Sequence, residues 1–233
     1  MTARQSSGKK SPARAITGTR PKTKRGDELH ETPAFALRLL MEQWPDFFGA
    51  PRKIFEPQCG PGQMVAALQE AGHFVLAADK VDYERRWKAR ENTPRYWGKD
   101  FLSWAPGNPF FAGIDAIVMN PPYSAADAHV LHALSLSPRV FALLELPWMN
   151  GVGDARCALI DDGPLIAVHP FTHRIPMHAD NFTGTRNKNT RRHAWFVFER
   201  PGVSGGGKPA RAPVMRRIGL ATRAERIAEG VWK

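Results

Sequence analysis

The stretch KIFEPQCGPGQMVAALQEAGHFVLAAD, residues 53–79, constrains this chain more than any other. A short apolar run ends in an acid, a turn with two glycines follows, and a helical apolar pattern runs to Gly72. A second apolar run then ends in another acid. Two strands joined by a helix of that length pair in parallel, with the helix packed across one face. Gly60 and Gly62 let the backbone turn closely against a ligand at the carboxyl edge of such a sheet. Asp79 lies 19 residues past Gly60, near the ~20-residue spacing at which a carboxylate reaches a ribose. The third glycine of GxGxxG and the Lys-Ser/Thr of a P-loop are both missing, which argues against a triphosphate and weakens a dinucleotide. A plain strand–turn–helix corner is the simpler alternative, and the acid at the end of the second strand weighs against it.

The rest of the chain extends the same alternation. A helix is predicted from Thr32-Pro33 through AFALRLLMEQW, with proline in its first turn. RYWGKDF reads as a short third strand and FAGIDAIVMN as a fourth. SAADAHVLHALSL reads as a helix and RVFALLEL as a fifth strand. A helix around 150–160, a strand PLIAVHP, a polar loop over 171–190 and a last strand HAWFVFER complete the pattern. No helix separates the last two strands, so the predicted fold is α/β, a mostly parallel sheet closed by an antiparallel hairpin.

Three segments follow from composition. Residues 1–28 are rich in Lys, Arg, Ser, Thr, Pro and Gly and read as a disordered tail. Residues 29–200 form the folded domain, and residues 201–233 are a Gly/Pro linker with a basic terminal segment that could end in a helix, ATRAERIAEGVW. The formal net charge is +11, yet eight basic residues and no acid fall in residues 1–25 and a further excess in 201–233, leaving the body near neutral. Basic ends of this kind hold a phosphate backbone without reading sequence, or serve only as solubilising tails. Two cysteines make no disulfide framework, so a cytoplasmic location is expected. No apolar run approaches the ~18 residues of a membrane span, and no secretory signal opens the chain.

The fourth strand runs directly into Asn120-Pro121-Pro122-Tyr123. Two prolines remove two backbone donors and fix φ, and the first pushes Asn120 into an extended conformation. The product is a stiff hook that presents one amide, one carbonyl and one aromatic ring. Upstream, GKDFLSW places Asp100 after the third strand, where an acid can accept from an adenine amino group; alone it is a commonplace turn residue. Downstream, residues 169–193 carry Arg174, Arg186, Lys188, Arg191 and Arg192 against the single acid Asp180, with four histidines among Asn and Thr. Such side chains suit phosphates and base edges. The histidines lack the spacing of a metal site, so no metal is expected.

In this order the three motifs resemble S-adenosylmethionine-dependent methyltransferases that modify exocyclic amino groups, and most closely the DNA N6-adenine type. The resemblance covers about residues 29–200. It implies a Rossmann-like class I fold whose seven-stranded sheet has an antiparallel last strand. It implies S-adenosylmethionine as cofactor. Glu56, Gly60 and Gly62 match the glycine motif around its methionine part, Asp79 the ribose-binding acid, Asp100 the acid near its adenine with Phe101 flanking that ring, and Thr32 the threonine that helps hold its carboxylate. Asn120 to Tyr123 match the catalytic tetrapeptide. There the Asn120 oxygen and the Pro121 carbonyl accept the two hydrogens of an aromatic amine, freeing its lone pair for in-line attack on the methyl group. Tyr123 stacks on a base flipped from the duplex. Phe171 or Phe182 would close the base's other face, although Phe171 adjoins a strand and core packing is its expected role, and Arg174, Arg186, Lys188 and Arg191 would contact the polymer. No separate target-recognition domain follows, so the chain looks like compact phage or prophage-borne forms. DNA is the expected partner. RNA adenine, a protein glutamine amide, and a non-catalytic binding protein are the alternatives; cytosine N4 fits less well, because those enzymes usually begin the tetrapeptide with Ser.

Overall fold

The near-continuous apolar runs of the strands mean that both faces of the sheet are buried, and the architecture follows from that. A computed structural model describes residues 29–161, 163–179, 191–202 and 212–229. Its elements are, in order, β1 (His30–Glu31), α1 (Ala34–Gln43), α2 (Pro45–Phe48), β2 (Lys53–Glu56), α3 (Gln63–Glu70), β3 (Phe74–Asp79), β4 (Arg95–Trp97), β5 (Ala116–Met119), α4 (Ala126–Leu136), β6 (Arg139–Glu145), α5 (Asp154–Ile160), β7 (Leu165–Pro170), β8 (His178–Ala179), β9 (His193–Glu199), β10 (Val214–Met215) and α6 (Arg223–Ala228).

The main sheet has the order β10-β7-β9-β6-β5-β2-β3-β4. All its pairings are parallel except those of β9, which runs antiparallel to both β6 and β7. The expected antiparallel last strand of the domain is therefore present. The strand count is eight, not the expected seven: β10, from the segment read as linker and tail, pairs in parallel with the outer edge of β7. An isolated bridge from Phe171 to Ile218 continues that contact. A capping box at Thr222 and Glu225 starts α6, and Glu229 just beyond its end pairs with Arg38 of α1. The linker residues 203–211 lie outside the described residues, as does the tail over 1–28.

Alternate residues of each strand enter two apolar layers. Ile54, Val75, Val118, Phe141, Trp195 and Val197 pack against α1 and α3 on one face. Phe55, Leu76, Ile117, Met119, Phe196 and Phe198 pack against α4 and α5 on the other. Each such side chain, once fully buried, contributes about 1.5–3 kcal/mol. Trp195 is fully buried, and its indole N–H donates to the Ala36 carbonyl at 2.8 Å, so no polar atom of that ring is left unpaired.

Strand order turns outward in both directions from β2, which has β5 on one side and β3 on the other. That reversal opens a crevice at the carboxyl ends of the strands. A small second sheet, β1 paired antiparallel with β8, lies apart from the main one.

Candidate active site

The crevice is a cleft of about 240 Å³ lined by the ends of β2, β3 and β5, by residues 29–32 and by residues 99–102. The glycine turn forms its floor. Gly60 has φ +51°, and Gly62 has φ +87° at the N-cap of α3. The Gly60 N–H donates to Asp79 Oδ2 at 2.9 Å, and Val81 N–H donates to Asp79 Oδ1 at 2.9 Å. The predicted ribose acid thus also fixes the turn. Gly62 does not line the cleft. A Cβ there would lie 2.7 Å from the Trp87 ring, so this glycine serves a left-handed turn and a close packing contact.

Glu56 ends β2 inside the cleft. It is 1% exposed, and its Oε2 has no hydrogen-bond partner among the described residues. Burial pushes its carboxyl well above the usual carboxylate range, and the neighbouring Asp79 charge adds to that. Burial likewise pushes up the thiol of Cys59, which also lines the cleft. At the far end Asp100 is exposed, accepts from Leu102 N–H at 3.0 Å and lies 3.7 Å from Lys80 Nζ. Phe101 is buried and stacks on His129 of α4, with ring planes 29° apart.

The hook meets the cleft from β5. Asn120 Nδ2 donates to the His30 carbonyl at 2.9 Å and to Thr32 Oγ1 at 3.1 Å. A carbonyl can only accept, so this pairing assigns the amide: the nitrogen faces residues 30–32, and Oδ1 remains as the acceptor. Pro122 lines the cleft; Pro121 is buried and does not. Thr32 is buried in the cleft wall, with its hydroxyl oxygen engaged by Asn120.

Tyr123 is not in the lining of this cleft; it lines a second cavity of about 220 Å³ with Ala126, Leu144, Glu145, Pro147, Trp148 and Arg156. Its hydroxyl lies 3.0 Å from His193 Nε2, and its ring stacks on His30 with a centroid distance of 5.7 Å. The antiparallel register sets His193 opposite Glu145, beside the hook, which is why the first residue of β9 reaches Tyr123. Burial, then the His30 and Arg191 charges, lower the His193 pKa from its usual 6.5 to about 4.

The expected substrate residues that are described, Phe171, Arg174 and Arg191, take separate places. Phe171 is 4% exposed within the α1-side apolar layer, bridged to Ile218, so it is a core residue and not a wall for a base. Arg174 is exposed. Arg191 pairs with Glu145 at the rim of the second cavity. Phe182, Arg186 and Lys188 lie outside the described residues. His169, one of the loop histidines, accepts from the Trp44 indole N–H at 3.0 Å and is buried, which makes it structural.

Sequence reasoning missed His30 and His129, which line the cleft, and the particular part of His193. No local signal distinguishes them, because each comes to the site by strand register or helix placement. Among the described residues, no group of three or more His, Cys, Asp or Glu is placed to hold a metal ion. No described helix is long and apolar enough to cross a membrane.

No protein-family model matches the chain, and no curated protein matches it. Solved structures do. A type I restriction-modification methyltransferase subunit from Streptococcus thermophilus superposes with a TM-score of 0.57 at 12% identity over 76% of this chain and 46% of its own. A modification subunit of a proposed type I restriction enzyme from Vibrio vulnificus gives 0.54 at 10% identity, over 83% of this chain and 48% of its own. A proposed RNA methyltransferase from Pyrococcus horikoshii gives 0.52 at 17% identity, over 73% and 86%. The chain spans under half the length of the two restriction subunits. The shared feature at these identities is the fold, a Rossmann-like α/β sheet of the class I methyltransferase type.

Proposed function

We propose that this protein is an S-adenosylmethionine-dependent methyltransferase acting on a planar exocyclic amine, in the first place N6 of adenine in DNA. The observation that carries the reading is the Asn120 amide. Both its visible hydrogen bonds are donated from nitrogen to His30 and Thr32, which leaves Oδ1 as an acceptor at the end of β5.

The cleft fits the cofactor on its own residues: a turn that only glycine follows easily at Gly60, a carboxylate already oriented at Asp79, an orphaned buried acid at Glu56 and an aromatic wall at Phe101. When bound, that cofactor supplies a methyl group on a sulfonium, an electrophile. The chain's part is to prepare the nucleophile. Asn120 Oδ1 and the Pro121 carbonyl accept the two hydrogens of the amine and draw its lone pair out of the ring. The prolines hold both acceptors in place, so orientation costs little at the moment of reaction. No strong base precedes attack, because the amine's proton becomes acidic once nitrogen is alkylated. Tyr123, tethered by His193, offers a ring for stacking.

A nucleic acid is favoured over a protein amide by the basic segments flanking a near-neutral body; these serve DNA and RNA equally, and DNA is put first for the fold shared with two restriction-modification subunits, with RNA the second reading for the fold shared with a proposed RNA methyltransferase. The test is product analysis. The protein, labelled S-adenosylmethionine and, separately, unmethylated DNA, total RNA and protein extract are incubated, digested and the methylated species identified. N6-methyladenine in DNA is expected. Label in RNA or on glutamine would keep the hook and change the partner. Asn120→Ala is expected to keep measurable cofactor binding by calorimetry while transfer falls at least a hundredfold, on the order of the loss of one preorganised polar group.

A further inference from the structure

Two carboxyl groups share the cofactor cleft, and their surroundings differ. Asp79 accepts hydrogen bonds from two backbone N–H groups, Gly60 and Val81, which favour its ionised form. Glu56 is 1% exposed with an orphaned Oε2, and no ion pair to it is present among the described residues. Of the cations around the cleft, Lys80 faces Asp100, while Arg86 and Lys88 both pair with Glu31; the His30 ring and the Tyr83 phenol are further titratable groups in its lining. Lys99 and the ring of His129 line the same cleft beside Asp100 and Phe101, and Cys59 adds a thiol held neutral by burial. A buried carboxylate without a cation is far costlier than a buried carboxylic acid. When two nearby acids cannot both ionise cheaply, the one with fewer donors keeps the proton.

We propose that Glu56 is the cation seat of the cleft, uncharged while the cleft is empty, and that it trades its proton for the positive charge of the incoming cofactor. The inference rests on the cofactor reading above. S-adenosylmethionine carries an ammonium and a sulfonium, and either brings the charge that an ionised Glu56 lacks. On binding, the Glu56 O–H bond breaks, the electron pair stays on the carboxylate, and the proton leaves to solvent. Cofactor binding is therefore linked to pH. Below the empty-site pKa of Glu56, affinity should rise about tenfold per pH unit, and above it the dependence should vanish.

The experiment is titration calorimetry of the full chain with S-adenosylmethionine at about pH 6, above the ordinary carboxylate range, in buffers of different ionisation enthalpy. The slope of observed heat against buffer enthalpy gives the proton count. Release of about one proton is expected, with none for Glu56→Gln, whose affinity should be weaker and flat with pH across the same range. Repeating with S-adenosylhomocysteine, which keeps the ammonium and lacks the sulfonium, names the cation: persistent release assigns the ammonium, and lost release the sulfonium. Binding without proton release by the unmodified protein would overturn the proposal and leave the cofactor reading standing. Unaltered release in Glu56→Gln would overturn it too, by moving the proton to another group. No binding of either compound would defeat both. The wild-type proton count decides even if the variant fails to fold.

Discussion

His193 enters β9 2% exposed, Nε2 against the Tyr123 hydroxyl and Nδ1 without a hydrogen-bond partner among the described residues. Its pKa is lowered from 6.5 to about 4, chiefly by burial. Between those values the unfolded chain takes up a proton that the folded chain refuses. Stability is then fully present above about pH 6.5 and is lost as pH falls toward about 4, by up to roughly 3 kcal/mol. Urea melts across that range should show the slope, and His193→Gln should remove most of it. At neutral pH the ring is uncharged, so it can share one hydrogen bond with Tyr123 and hold that ring at the hook. The Asn-Pro-Pro-Tyr stretch announced its own chemistry, since residue type and order carry the argument. Nothing near His193 in sequence announced a partnership 70 positions away.

Among elements, the turn between β2 and α3 shows what local sequence can specify and what it cannot. Two glycines in CGPG predict a backbone turn, and both do have positive φ. Their tasks differ for a tertiary reason. Gly60 lies in the cleft with Leu29 against it, whereas Gly62 faces the Trp87 ring. Gly62→Ala is expected to destabilise the fold by about 1–3 kcal/mol, from the left-handed conformation and the displaced indole together, measurable as a lowered thermal midpoint. The segment over residues 29–32 is a second case. ETP was legible as the start of a helix, and Pro33 does take the N-cap position of α1. That β1 would pair with β8, line the cleft and hold Asn120 was not legible, because a two-residue strand has no periodicity to read. Phe171 is the opposite case: it adjoins a strand, which already pointed to core packing, and its burial bears that out over a place against a base.

Across the whole molecule the charge is divided: eight basic residues in the first twenty-five and a near-neutral body. If the first segment holds phosphate backbone, deleting residues 1–25 should weaken DNA binding and flatten its dependence on salt, while S-adenosylmethionine affinity stays unchanged. An unaltered salt slope, measured by fluorescence anisotropy on a labelled duplex, would make that segment a bystander. The carboxyl-terminal residues have a different standing. Read as linker and tail, they supply β10 at the sheet edge and the Arg38–Glu229 contact, and so add the eighth strand.

The sequence by itself determined the alternation of strands and helices, the reversal of the last strand of the domain, the glycine turn with its following acid, and the hook. Each of these rests on a local cause: periodicity, a glycine's freedom at positive φ, a proline's fixed φ, a spacing along one chain. Only the tertiary structure decided which way the Asn120 amide faces, that Glu56 is left with an orphaned oxygen, that His193 and His30 flank Tyr123, and that a short strand from the carboxyl-terminal segment extends the sheet. The contacts among them join residues far apart in the chain, Asn120 to His30 across 90 positions and Tyr123 to His193 across 70. Burial and register are set by the assembled sheet, and no stretch of sequence carries them alone.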